Sequence, residues 1–93
     1  MDNKEIADEL WEILFNTFDS NAKNKNFRIG GPFQGMTNDV QDRIVPKLAK
    51  LKSGESDDET LGSLEADFNV CHAIGWISDE SYNKSIKLLR SID

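Results

Sequence analysis

Hydrophobic positions recur at helical spacing in four stretches of the chain, and polar residues fill the turns between them. In the first stretch Ile6, Ala7, Leu10, Trp11, Ile13, Leu14, Phe15 and Phe18 cover an arc of about 200° at 100° per residue. Glu5, Asp8, Glu9, Glu12, Asn16 and Asp19 occupy the remainder. This separation predicts a helix from about Lys4 to Phe18. The apolar arc is wider than a surface helix of a small domain needs. Two neighbours are therefore expected to embrace it; the competing reading leaves the Trp11/Phe15/Phe18 edge open to a partner.

The second stretch carries Val40, Ile44, Leu48 and Leu51 on one face, widened by Val45 and Ala49. It predicts a helix capped by Thr37 or Asn38 and ending near Lys52, with Gly54 as its terminator. Pro46 interrupts the pattern: it removes a backbone donor and crowds the carbonyl of Asp42. A kink, or two short helices, is expected there. The third helix is announced by Ser56-Asp57-Asp58-Glu59, which matches a capping box with Ser56 as N-cap. Leu61, Leu64, Phe68, Cys71 and His72 form its apolar face. Gly62, Ala66, Asn69 and Ala73 form a second face, small enough for another helix to approach closely. Gly75 should end it. Ser78 caps a fourth helix running to about Ile92, with Tyr82, Ile86, Leu88, Leu89 and Ile92 on its apolar side. The short Gly75-Trp76-Ile77 break makes helices three and four a tight hairpin.

Between the first two helices, residues 19–36 are rich in Asn and Gly. Phe27, Ile29 and Phe33 could pin this loop to the core, and Phe27-Arg28-Ile29 could be briefly extended. The fold class is thus all-α: a single compact four-helix domain, an irregular bundle over residues 1–93, with one long Gly-containing loop and a C-terminal helical hairpin.

Composition sharpens this picture. The chain has 93 residues, 38% of them hydrophobic, and a net charge of −6 from 11 basic and 17 acidic side chains. Such a balance argues against direct nucleic-acid binding, which needs concentrated Lys and Arg. The charge is blocked: residues 1–20 and 53–80 are acidic, and residues 21–52 are basic. Lys23, Lys25, Arg28, Arg43, Lys47, Lys50 and Lys52 are expected to complement the acids of the first and third helices. No apolar run reaches the length of a membrane span. The acidic opening Met1–Glu5 holds no apolar signal stretch, which points to a cytoplasmic setting.

Catalytic and metal-binding motifs fail on inspection. Asp19–Gly30 resembles a calcium loop at its first and third positions only; Lys23, Asn24 and Gly30 stand where the ligand, glycine and glutamate belong. Cys71 and His72 point about 100° apart on a helix and cannot form a nucleophile–base dyad. Cys71 is expected as a small buried hydrophobe, and His72 as a half-buried, hydrogen-bonded side chain. Gly30-Gly31-Pro32-Phe33-Gln34-Gly35 lacks the Lys-Ser/Thr ending of a phosphate loop. No cofactor, no metal and no enzymatic activity are expected.

What remains is a protein-binding role. In profile alone (short, acidic and without motifs) the chain resembles bacterial immunity proteins that neutralise secreted toxins, nucleases above all; no residue motif carries the likeness. A nuclease site is basic because it holds phosphates, so an acidic inhibitor is steered to it. Candidate partner-binding residues are Glu5, Asp8, Glu9 and Glu12 on the first helix, Asp57, Asp58 and Glu59 at the start of the third, and the aromatic pair Trp11 and Phe15. The partner expected is another protein with a basic surface, met by a monomer or weak homodimer. Two alternatives come from other classes: a phage-type inhibitor mimicking nucleic acid, of the anti-restriction or anti-CRISPR kind, and a structural or oligomerising helical adaptor.

Overall fold

The computed structural model describes residues 2–15 and 34–92, with the side chains of Phe15 and residues 34–41 left aside. Four helices follow in order: α1 (Asn3–Phe15), α2 (Gln34–Lys52), α3 (Asp58–Ala73) and α4 (Asp79–Arg90). Residues 16–33, which hold Phe18 at the end of the predicted first helix and Phe27, Ile29 and Phe33 of the predicted loop, lie outside the described residues.

Each helix packs against two others. α1 touches α2 and α4, and α3 touches α4 and α2. The helices thus form a ring in chain order, with α1 and α3 on opposite corners. Their apolar faces meet in one core: Ile6, Ala7, Leu10 and Leu14 from α1, Ile44, Leu48 and Leu51 from α2, Leu64, Phe68 and Cys71 from α3, and Leu89 from α4. Trp76 and Ile77, in the turn of the hairpin, complete it.

The helix ends show how local sequence sets these boundaries. Asp2 caps α1, its carboxylate accepting from the Glu5 amide at 2.8 Å. α2 ends in a Schellman turn, in which the Gly54 amide donates to the Leu51 carbonyl and the Glu55 amide to that of Lys50. α3 ends the same way, the Gly75 amide donating to His72 and the Trp76 amide to Cys71. Gly54 and Gly75 sit at φ 98° and 83°, where a Cβ is unfavourable. Ser78 caps α4 as expected, its hydroxyl accepting from the Ser81 amide at 3.1 Å.

Three expectations need correction, and one pair of alternatives is decided in part. The capping box at α3 does not form: Asp57, not Ser56, is the extended N-cap residue, and its side chain makes no capping bond. Either residue type can cap, so the local sequence left the boundary one residue loose. α2 begins at Gln34, so Thr37 and Asn38 lie inside it. Such residues cost a helix interior only about 0.7 kcal/mol and do not force a boundary. Of the alternatives at Pro46, two short helices are not found: α2 is one helix, with Pro46 inside it. Pro46 and Asp42 are both exposed, so the carbonyl that proline deprives of its donor lies on the solvent side. Finally, among the described residues no helix packs closely on the small-residue face of α3, whose edge α4 reaches through the Tyr82–Asn69 hydrogen bond. Gly62, Ala66, Asn69 and Ala73 are exposed, and a Cβ built on Gly62 would meet nothing within 4 Å.

One buried position on α4 departs from the apolar pattern. Ser85 is fully buried, and its hydroxyl donates to the Ser81 carbonyl at 2.7 Å. That bond satisfies the group within its own helix, so a polar side chain fits the core.

Candidate surface on the first helix

Residues 5, 8, 9 and 12 follow the i, i+3, i+4, i+7 rule, so helix formation alone places Glu5, Asp8, Glu9 and Glu12 on one side of α1. The core takes the opposite side. Asp8 pairs with Lys52 of α2 at 3.1 Å and Glu9 with Lys84 of α4 at 3.1 Å, both pairs well exposed. Glu5 and Glu12 are exposed and form no ion pair among the described residues.

Trp11 stands among these acids. α1 is embraced by α2 and α4 as the wide arc implied, yet Trp11 stays 45% exposed at the edge of the contact. With Glu5, Asp8, Glu9 and Glu12 it lines an open recess on the acidic face. Trp11 also lines an apolar groove between α1 and α2, of about 280 Å³, formed with Ala7, Val45, Leu48 and Ala49 and edged by Asp8 and Lys52. The acidic face and Trp11, separate candidates in the sequence, are therefore parts of one continuous surface. Val45, Ala49 and Lys52 are contributions the sequence reading missed. No local signal could have found them, because the groove exists only where two helices pack.

The other candidates are not brought to this surface. Asp57, Asp58 and Glu59 are exposed at the start of α3, and α3 makes no direct contact with α1. Phe15 closes α1, but its side chain lies outside the described residues.

Two residues of the basic block, Lys47 and Lys52, pair with acids of α3 and α1, while Lys23, Lys25 and Arg28 lie outside the described residues. Lys47 of α2 donates to Asp67 of α3 at 2.6 Å in a partly buried pair. Lys52 meets Asp8, and from α4 Arg90 meets Glu65 of α3 at 2.9 Å. These contacts tie neighbouring helices together.

Cys71 and His72 diverge as their helical spacing requires. Cys71 is fully buried, and burial, followed by the Asp67 carboxylate, pushes its thiol up to about 12. A thiol held protonated is a poor nucleophile. His72 is half-buried; its Nε2 meets Asp79 Oδ1 at 2.6 Å, and its ring stacks on Tyr82 with centroids 4.4 Å apart. The Tyr82 hydroxyl in turn donates to Asn69 Oδ1. This cluster ties the two arms of the hairpin together beside the Gly75 turn. Among the described residues no three His, Cys, Asp or Glu side chains gather to hold a metal ion, and no helix is long and apolar enough to cross a membrane.

No family model matches the chain, and neither the curated proteins nor the solved structures contain a significant match to it.

Proposed function

We propose that this protein is a small acidic inhibitor that binds a basic protein, in the manner of an immunity protein covering the active face of a toxic nuclease. The observation that carries the reading is the position of Trp11, a half-exposed tryptophan that lines a recess with four carboxylates and borders an apolar groove. Tryptophan is among the residues most enriched at binding hot spots. The carboxylates around it supply the long-range attraction that speeds encounter with a basic surface and orients it.

The alternatives fit less well. A nucleic-acid mimic needs a regular track of uncompensated acids; on α1 two of the four are paired with lysines. An oligomerising adaptor needs a self-complementary apolar surface, whereas two copies meeting at this groove would oppose their acidic rims.

The test begins with the partner captured on the immobilised protein and identified by mass spectrometry. Two results are expected: stoichiometric loss of the partner's activity on complex formation, and association that slows with salt. Glu5→Gln with Glu12→Gln removes two charges without breaking an ion pair to a described residue. Association should slow roughly three- to tenfold at low salt, with a smaller difference at high salt. A partner that keeps full activity when saturated refutes the inhibitor role. An association rate indifferent both to salt and to these substitutions makes the acidity a solubility feature.

A further inference from the structure

We propose that the α1–α2 groove seats an apolar side chain carried on a basic amphipathic helix of the partner, with Trp11 dividing the apolar from the charged half of the contact. The inference rests on the protein-binding role above and specifies what the partner presents. Three observations support it. Among the described residues the groove is lined by Ala7, Trp11, Val45, Leu48 and Ala49 together with the Asp8–Lys52 ion pair, so most of its surface favours a hydrocarbon group. Its volume, about 280 Å³, lies below the roughly 300–1,000 Å³ of sites that enclose small molecules. It suits one or two side chains anchored from outside, as in recognition of a helix by a groove. Finally, the surface continuing past Trp11 is acidic, through Glu5, Asp8, Glu9 and Glu12. A segment with its apolar stripe in the groove lays its flank across those acids, and charge complementarity requires that flank to carry Lys or Arg. The same argument disfavours a second copy of this chain, whose net charge is −6.

The probe is a synthetic 18-residue peptide with leucine at i, i+3, i+4 and i+7 positions and lysine elsewhere, tested against the full chain. Two controls replace leucine by serine or lysine by glutamate. Calorimetry should give saturable 1:1 binding of the Leu/Lys peptide, at least tenfold tighter than either control. Trp11 emission should shift to the blue on binding, since Trp76 is already buried. Trp11→Phe should lose that signal and keep most of the affinity. Trp11→Ala and Ala49→Gln, both at exposed positions, should each weaken binding at least tenfold while leaving the circular dichroism unchanged. Equal affinity for wild type and Ala49→Gln, or no saturable binding of the Leu/Lys peptide, overturns the groove assignment. Concentration-dependent dimerisation that buries Trp11 overturns it in favour of a second copy. If Glu5→Gln/Glu12→Gln slows association with the captured partner while Ala49→Gln leaves its affinity unchanged, the groove assignment falls and the inhibitor reading stands. If Ala49→Gln weakens that partner's binding but the partner stays fully active when saturated, the groove stands and the inhibitor reading falls.

Discussion

Phe68→Ala tests the core directly. Phe68 is 0% exposed and lies on α3 one turn from Leu64 and Cys71, which are equally buried. Truncation removes most of an aromatic side chain from a site walled by rigid helices, so lost burial and the cavity left behind add together. Such changes cost about 3–5 kcal/mol. A domain of 93 residues is stable by only about 5–14 kcal/mol on the usual per-residue scale. The substitution therefore removes a large share of the stability and leaves a substantial unfolded fraction in the least favourable case. For a domain of this size, each kcal/mol lowers the melting temperature by about 4–8 °C, so the fall should be about 12–40 °C. In urea the midpoint should drop by at least about 1 M. Val70→Ala is the control: it lies two residues away on the same helix but is 44% exposed, and its cost should stay within about 0.5 kcal/mol. Urea titration followed by far-ultraviolet circular dichroism measures both. Equal midpoints for the two variants would refute the assignment of this face of α3 to the core.

Ser78→Ala should cost about 1 kcal/mol by removing the α4 cap, whereas Ser56→Ala, whose side chain does not cap α3, should be close to neutral; a larger loss at Ser56, by thermal denaturation, would restore the capping box. Cys71 should resist disulfide reagents at pH 8 in the native protein and react fully in urea, as intact mass will show, because its thiol is buried and pushed up to about 12. The raised value also sets a pH dependence. The folded state keeps the proton that an unfolded thiol releases near 9.0, so this contribution is complete below that pH and is lost as pH rises toward about 12. The stability gap between wild type and Cys71→Ala should therefore narrow above about pH 9; a constant gap would contradict the burial.

Much of the fold was legible in local sequence because its causes are local. The 3.6-residue period of Ile6, Leu10 and Leu14, and of Leu64, Phe68 and Cys71, marks the faces that the core later takes. Gly54 and Gly75 mark helix ends because they occupy left-handed backbone that other residues resist. Ser78 marks a start because its hydroxyl can reach an amide three residues ahead. Even the separation of Cys71 from His72 follows from helix geometry alone.

Tertiary structure decided what depends on neighbours. Periodicity puts Trp11 within the apolar arc of α1, but only the placement of α2 and α4 leaves it at the edge, half in solvent. The small residues of α3 permit close approach without supplying a helix to make it. Pro46 conflicts with a helix by its chemistry, yet the packed face formed by Ile44, Leu48 and Leu51 holds α2 continuous across it. Charge blocks announced that acids and bases would meet, but Lys47 finds Asp67 twenty residues away only because α2 lies on α3. The groove beside Trp11 belongs to this second class. Each of its walls is an unremarkable turn of helix, and the space between them exists only once α1 and α2 have packed, since a cavity is a property of two surfaces and not of either sequence.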